Sequence, residues 1–218
     1  AAPPLAGWGF VEFAVDPAAG ARLADWLQSM GFARIGTHRD KDVQLYGAGE
    51  VRIVLNLEAD SPARSHFELH GPSVCALALT STDTAATLAR AEALLSPRVA
   101  GRGAQALDIP AVRAPDGSLL HVCAPPQAGR HAFERYFDID EAALRATPAG
   151  TGARIDHVAQ AVPAGQVEPW LLFHRAVLGL SAERQVVLHD PYGVIRSREL
   201  ESPNRTVRVS VTVSEREN

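Results

Sequence analysis

The chain has 218 residues, of which 46% are hydrophobic and 21% charged, and its net charge is −4 at pH 7. These values are ordinary for a globular protein with a buried core, and they give no reason to expect a nucleic acid or a membrane as partner. Two cysteines argue against a disulfide framework or a thiolate metal cluster. No apolar run approaches the roughly 20 residues of a membrane span. The segment Ala1–Leu5 has no signal-peptide features, so we expect a cytoplasmic protein.

The first predicted module runs from Trp8 to Glu58 and has the order β-α-β-β-β. Its helix begins after Asp16-Pro17 and ends at Gly31, with apolar residues at helical spacing between them. The predicted strand, helix and three further strands lie at 8–16, 18–30, 33–37, 43–46 and 51–57. The polar segment 60–71 is interpreted as a connector.

A second module repeats this order, with Asp116-Gly117 as a hairpin turn. Its strand, helix and two strands are predicted at 74–79, 84–95, 107–112 and 119–123. The segment 125–152 is interpreted as an ordered connector, held to a surface by the apolar side chains of Tyr136 and Phe137.

A third module begins at Arg154 with a strand that carries His157 in its middle, the place that Glu12 holds in the first module. A helix and three strands are predicted at 167–178, 183–189, 194–200 and 206–213.

Each module forms a curled sheet with one helix on its outer face, so its inner face needs a second module to cover it. Modules one and two supply this cover for each other, whereas module three has no partner in the sequence. We therefore expect an α+β protein with three of four modules. The expected divisions are a linker at 1–7, an N-terminal domain at 8–125, a connector at 126–152 and the first half of a C-terminal domain at 153–218.

Several short motifs add to this repeat, and they are listed here together: Ile155-Asp156-His157-Val158, Arg175–Leu180, Glu201-Ser202-Pro203-Asn204, His70–Val74 and Pro115–Ser118. With the paired modules, they resemble the vicinal oxygen chelate superfamily, which includes the glyoxalases and extradiol dioxygenases. Within it, the chain is most similar to 4-hydroxyphenylpyruvate dioxygenase and its relatives. The resemblance implies a non-haem Fe(II) oxygenase that uses O₂ and an aryl 2-oxo acid in aromatic amino acid catabolism.

In that family the iron is held by two His and one Glu, which leaves positions open for substrate and O₂. The resemblance implies that His157 is the first ligand and that the other two belong to a fourth module, outside this sequence. We therefore expect the chain alone to bind no iron tightly and to be inactive. The alternative for His157 is a strand histidine bonded to a neighbour.

The resemblance also implies that Ser197, Ser210 and Thr212 contact the substrate, while no residue is assigned a catalytic role. Ser210 and Thr212 stand where the family has Pro and Asn, and Thr212 lacks the two-sided amide of Asn. These differences count against 4-hydroxyphenylpyruvate itself as the substrate. The alternative is that all three are ordinary polar strand residues.

In the first module pair, the positions equivalent to the three iron ligands are Glu12, Ala76 and His121. Alanine cannot coordinate a metal, and two ligands would hold one only weakly. The resemblance implies that this domain is a scaffold without a metal site. Strand alternation predicts that Cys75 points away from Cys123, which excludes a disulfide between them. For His174 and His189 we expect packing or solvent-facing roles.

Two other functions remain open. The chain is also similar to the dioxygenase-like C-terminal part of bacterial fused proteins in which an N-terminal barrel acts as 3-dehydroshikimate dehydratase. The third possibility is a metal-free ligand-binding protein of the same fold. In every case we expect a small-molecule ligand and a homo-oligomer.

Overall fold

A computed structural model describes residues 2–99, 109–147, 153–190 and 193–215. The strands are β1 (Leu5–Ala14), β2 (Ala33–His38), β3 (Val43–Ala48), β4 (Val51–Asn56), β5 (Ser73–Ser81), β6 (Arg98–Val99), β7 (Ala111–Arg113), β8 (Leu119–Cys123), β9 (Phe137–Ile139), β10 (Val158–Ala161), β11 (Ser181–Asp190), β12 (Gly193–Glu201) and β13 (Arg208–Glu215). The α-helices are α1 (Pro17–Ser29), α2 (Pro62–His70), α3 (Thr84–Ala93), α4 (Glu141–Ala146) and α5 (Val167–Ala176). The predicted α+β class is confirmed. The strand predicted at 107–112 lies partly outside the described residues.

Modules one and two share one sheet with the strand order β6-β7-β8-β5-β1-β4-β3-β2-β9. Strand β1 joins the two modules, because it pairs in parallel with β4 and antiparallel with β5. Module three forms a separate sheet with the order β10-β13-β12-β11. The strands of module three thus do not extend the sheet of the first two modules in the described part of the chain.

Two expected connecting segments contain regular structure. Strand β1 begins at Leu5, inside the expected linker 1–7. Helix α2 occupies most of the segment expected to be a connector, because its ends carry strong local signals. The Ser61 side chain accepts a hydrogen bond from the Arg64 N–H, Pro62 opens the first turn, and Gly71 ends the helix with a φ of 70°.

The segment after β8 extends the first domain, so the expected boundary at residue 125 falls too early. Strand β9 pairs with β2 and adds an edge to the nine-stranded sheet. Phe133 and Phe137 are buried in the core of that domain, with Tyr136 packed against its margin. The predicted apolar attachment is present, but it attaches the segment to one domain and does not bridge two.

A buried ion pair attaches the segment after β8 to strand β4. Arg52 on β4 and Glu134 in the 3-10 helix Ala132–Tyr136 lie 2.9 Å apart between Nε and Oε1, and they are 3% and 1% exposed. Arg130 reaches the second carboxylate oxygen of Glu134, at 2.5 Å, and also bonds to Glu141. Each charge of the buried pair has its partner, which is the condition for burying charges at acceptable cost.

The two faces of the large sheet have different neighbours. On the convex face, α1 covers module one, with Leu27 and Ala19 against Ile53 and Leu55. On the concave face, Phe10, Leu45 and Val54 pack against Phe133 and Phe137, which fill one half of the cup; these and related residues form a single buried cluster. The other half of the cup holds the polar residues described below.

The convex face of module two is covered partly by α3 and partly by the third module. Leu79, Val112 and Val122 share one apolar cluster with Trp170 and Phe173 of α5. Valines of β13 join the same cluster from the second sheet: Val209 and Val211. Between the helices, the Arg90 guanidinium donates to the Ala176 carbonyl at 2.6 Å. The second sheet is thus held against the first domain by its apolar face.

We expect Glu134→Ala to lower the free energy of unfolding by about 3–5 kcal/mol, because it removes the carboxylate that neutralises the buried Arg52 and leaves that charge with backbone carbonyls as its acceptors. Urea denaturation measures this change. Glu141→Ala is the matched control, since it removes the other, half-exposed partner of Arg130 and should cost about 1 kcal/mol or less. Equal losses in the two variants would show that the buried pair does not hold the segment.

Candidate functional site

His157 lies immediately before β10 rather than in the middle of a strand, and its side chain is 54% exposed. Only the four residues Val158–Ala161 pair with β13, and the chain before them runs free of the sheet in the described region. The predicted place of His157 within a strand is therefore wrong. Its side chain lines an open groove of about 470 Å³, together with Ala159 and Ser210.

A short chain of polar contacts orients the His157 ring. Its Nδ1 lies 2.8 Å from Oδ2 of Asp156, and Nη1 of Arg208 bonds to both oxygens of that carboxylate at 3.0 Å. The hydrogen bond from His157 lowers the pKa of Asp156, and the charge of Arg208 lowers it further. Because a carboxylate accepts, Nδ1 carries a proton, and Nε2 presents its lone pair in the neutral form of the ring. Sequence reasoning missed Arg208, which is brought to Asp156 only by the pairing of β10 with β13.

The three predicted substrate residues lie on the same face of the second sheet. Ser197 is the register partner of Thr212, and their hydroxyl oxygens are 3.0 Å apart. Ser210 approaches Thr212 at 3.4 Å. The alternating valines of β13 point the other way, into the shared core. Ser210 shares the groove with His157, whereas Ser197 and Thr212 lie outside the groove lining.

His157 has the features of one iron ligand. Metal-binding histidines usually donate their other ring N–H to a carboxylate, as His157 does to Asp156. The described residues contain no group of three His, Cys, Asp or Glu side chains able to hold a metal ion. These residues therefore fit one position of an iron site and do not form a complete one.

The open half of the first-domain cup is a second polar site, of about 590 Å³. Glu12 is buried there, and its Oε1 accepts a hydrogen bond of 2.7 Å from the Asn56 amide. Burial raises the pKa of Glu12, an effect that the Asn56 hydrogen bond opposes. His121 is 3% exposed, and its Nδ1 lies 3.1 Å from the Ile109 carbonyl. Burial lowers the pKa of His121 to about 4.

Both cysteine thiols are free, but the predicted orientation of Cys75 is wrong. The pairing of β1 with β5 is irregular after Glu12, where Phe13 pairs with Val74 and Cys75 is left without a register partner. This irregularity breaks the alternation and turns the Cys75 sulfur to the Glu12 carbonyl, at 3.6 Å. Cys123 instead contacts the Leu79 carbonyl, in the apolar half of the cup.

His174 has the predicted packing role. It stacks on Trp170 at 5.4 Å between ring centroids, and its Nε2 lies 2.7 Å from Oε1 of Gln160. Burial lowers its pKa to about 4. His174 therefore joins α5 to β10 as a neutral ring.

Residues 3–140 match the family described as hydroxyphenylpyruvate dioxygenase, N-terminal. The chain belongs to this family. The paired-module architecture agrees with the match, and the fold is the vicinal oxygen chelate fold that the sequence predicts.

Among curated relatives, a 3-dehydroshikimate dehydratase of Pseudomonas putida is 44% identical over 99% of this chain and 34% of its own length. A 4-hydroxyphenylpyruvate dioxygenase of Pseudomonas sp. strain P.J. 874 is 30% identical over 94% of this chain and 57% of its own length. A solved xylose isomerase-like TIM barrel/4-hydroxyphenylpyruvate dioxygenase fusion protein has a TM-score of 0.86 and 42% identity, over 99% of this chain and 33% of that one. The chain therefore spans about a third of the dehydratase and fusion relatives. In the described part of the chain, the helices are too short or too polar to span a membrane.

Acidification should destabilise the protein between pH 6.5 and pH 4. Burial lowers the pKa of His121, His131 and His174 to about 4, from an ordinary value of 6.5. The unfolded chain therefore binds more protons than the folded chain in this range. The stability that these histidines contribute is fully present above pH 6.5. It falls as the pH drops, by up to about 1.4 kcal/mol per pH unit for each histidine.

Urea denaturation at a series of pH values tests this expectation. His174→Phe should flatten the pH dependence, since it removes one of the three groups, whereas replacing the exposed His189 with Asn should leave it unchanged. Identical pH profiles for the wild type and His174→Phe would contradict the assignment of a neutral buried His174.

Proposed function

We propose that this chain is the dioxygenase-like region of a fused 3-dehydroshikimate dehydratase, and that the dehydration takes place in another region of that protein. The observation that carries the proposal is the 44% identity with the Pseudomonas putida dehydratase over 99% of this chain, a match that covers 34% of that relative. Identity with the dioxygenase of Pseudomonas sp. is lower, at 30%. The solved fusion protein joins a xylose isomerase-like TIM barrel to a 4-hydroxyphenylpyruvate dioxygenase, and this chain matches 33% of it.

The chemistry of the second sheet supports a binding role in this proposal. Dehydration of a cyclic hydroxy ketone needs a base that removes a proton beside the carbonyl group and an acid that protonates the departing hydroxyl. Ser197, Ser210 and Thr212 are neutral hydroxyl groups that bond to one another, which suits hydrogen bonding to a polar ligand better than proton transfer. We assign these three residues to ligand binding.

A second candidate function is an Fe(II) oxygenase of the 4-hydroxyphenylpyruvate type, acting on an aryl 2-oxo acid. It is favoured by one observation, the Asp156 carboxylate that holds the Nδ1–H of His157 and leaves Nε2 available. Fe(II) at Nε2 would supply O₂ chemistry, with Asp156 and Arg208 holding the ring in place. The remaining ligands would have to come from outside the described residues.

The experiment compares the full-length fused protein with the 218-residue chain, for dehydration of 3-dehydroshikimate and for O₂ uptake with aryl-pyruvates. We expect the full-length protein to dehydrate and the chain alone to leave 3-dehydroshikimate unchanged. His157→Ala in the full-length protein should change the dehydration rate by less than about threefold, whereas loss of a general base costs roughly 10²–10⁴-fold.

His189→Ala serves as the matched control, because His189 is exposed on β11 of the same sheet. Dehydration by the isolated chain, or its loss in His157→Ala but not in His189→Ala, would contradict the proposal. Oxygen uptake that depends on His157 and on an aryl-pyruvate would establish the second candidate instead.

A further inference from the structure

The open half of the first-domain cup presents two buried hydrogen-bond acceptors that the proposed function does not use. The Ile109 carbonyl can only accept, so Nδ1 of His121 must carry the ring proton. The ring is neutral near pH 7, because burial holds its pKa at about 4. Nε2 is therefore a lone-pair acceptor, and none of the described residues bonds to it. The ring is 3% exposed and lines the cavity.

Glu12 is the second acceptor and faces the same cavity. The pairing register places Glu12 beside Ala76 on β5, and His121 beside Ala78 of that strand. Since neighbouring strands are about 4.8 Å apart and residues rise about 3.3 Å each, the two Cα atoms are separated by roughly 12 Å. Both side chains point into this space across β5, which leaves a gap between them that suits one small ring.

The lining of the cavity combines buried polar residues with exposed charged ones. Its buried polar side chains include Glu12 and His121, and its exposed charged lining residues are Asp60, Arg113 and Asp116. Arg113 is exposed and gives one N–H to the Gly117 carbonyl at 3.1 Å, which leaves other N–H groups of its guanidinium for a ligand. Asp116, at the same rim, accepts hydrogen bonds from the backbone N–H and the hydroxyl of Ser118.

We infer that this cavity binds a small hydroxylated ring carboxylate, whose hydroxyl groups donate to Glu12 and His121 and whose carboxylate faces Arg113. Nε2 of His121 has no donor among the described residues, whereas Glu12 already accepts a hydrogen bond from the Asn56 amide. A ligand that supplies O–H groups bonds to the first and gives the carboxylate a further donor. The choice of a ring acid rests on the proposed function, because 3-dehydroshikimate belongs to this chemical class. The site is a binding site in the first domain.

The test uses ¹⁵N-imidazole NMR of the 218-residue chain, with shikimate as the probe. When a hydroxyl donates to Nε2 of His121, its unprotonated nitrogen resonance should move. His174 gives an internal control, because it is a second buried neutral ring outside this cavity, and its signals should stay in place. Cyclohexanecarboxylate, which has the carboxylate but no hydroxyls, should leave the His121 resonance unchanged.

Two variants give a second readout by titration calorimetry. Glu12→Gln and His121→Phe should each weaken shikimate binding by about tenfold or more, the effect of losing one good hydrogen bond. An unmoved His121 resonance in the wild type at saturating shikimate would overturn the inference, whether or not the variants fold. An equal response to cyclohexanecarboxylate would also overturn it. Failure of the proposed function would be seen separately, in the dehydration assay of the full-length protein.

Discussion

The structure depends on one apolar cluster that both sheets share. Val209 and Val211 of β13 pack with Trp170 of α5 against Leu79 and Val122 of the first domain. Burial of such side chains contributes about 1.5–3 kcal/mol each, and the alternation of a strand then fixes which residues face the other way. Because the valines are committed to this core, Ser210 and Thr212 must lie on the opposite, open face. The face proposed to bind a ligand is thus positioned by the residues of the shared core.

A similar division operates inside the first domain. The segment that carries Phe133 and Phe137 fills one half of the cup, and the buried Arg52–Glu134 pair holds that segment in place. This filling leaves the other half, with Glu12 and His121, as a polar cavity. The module pair interpreted from the sequence as a scaffold therefore keeps polar side chains inside its cup.

The α+β class and most of the strands and helices follow from apolar periodicity and turn residues, and the structure confirms the class. The sequence also contains local signals for α2, namely Ser61, Pro62 and Gly71. The segment is nevertheless interpreted from the sequence as a connector, because its composition is polar. Other features depend on distant parts of the chain. The contact of Arg208 with Asp156 requires the β10–β13 register, and the turn of Cys75 toward Glu12 requires an irregular pairing that no single strand reveals. For this reason His157 could be selected from sequence, but its surroundings could not.

The central claim is that this chain supplies binding surfaces to a larger protein whose dehydration chemistry lies elsewhere. The most direct measurement is a crystal structure of the full-length protein with bound 3-dehydroshikimate, or with a close analogue that does not react. The account predicts that the molecule at the dehydrating centre lies outside the present 218 residues, with any further copy in the cup of Glu12 and His121. A single bound molecule in contact with His157 and Ser210, in a protein that dehydrates it, would contradict the account.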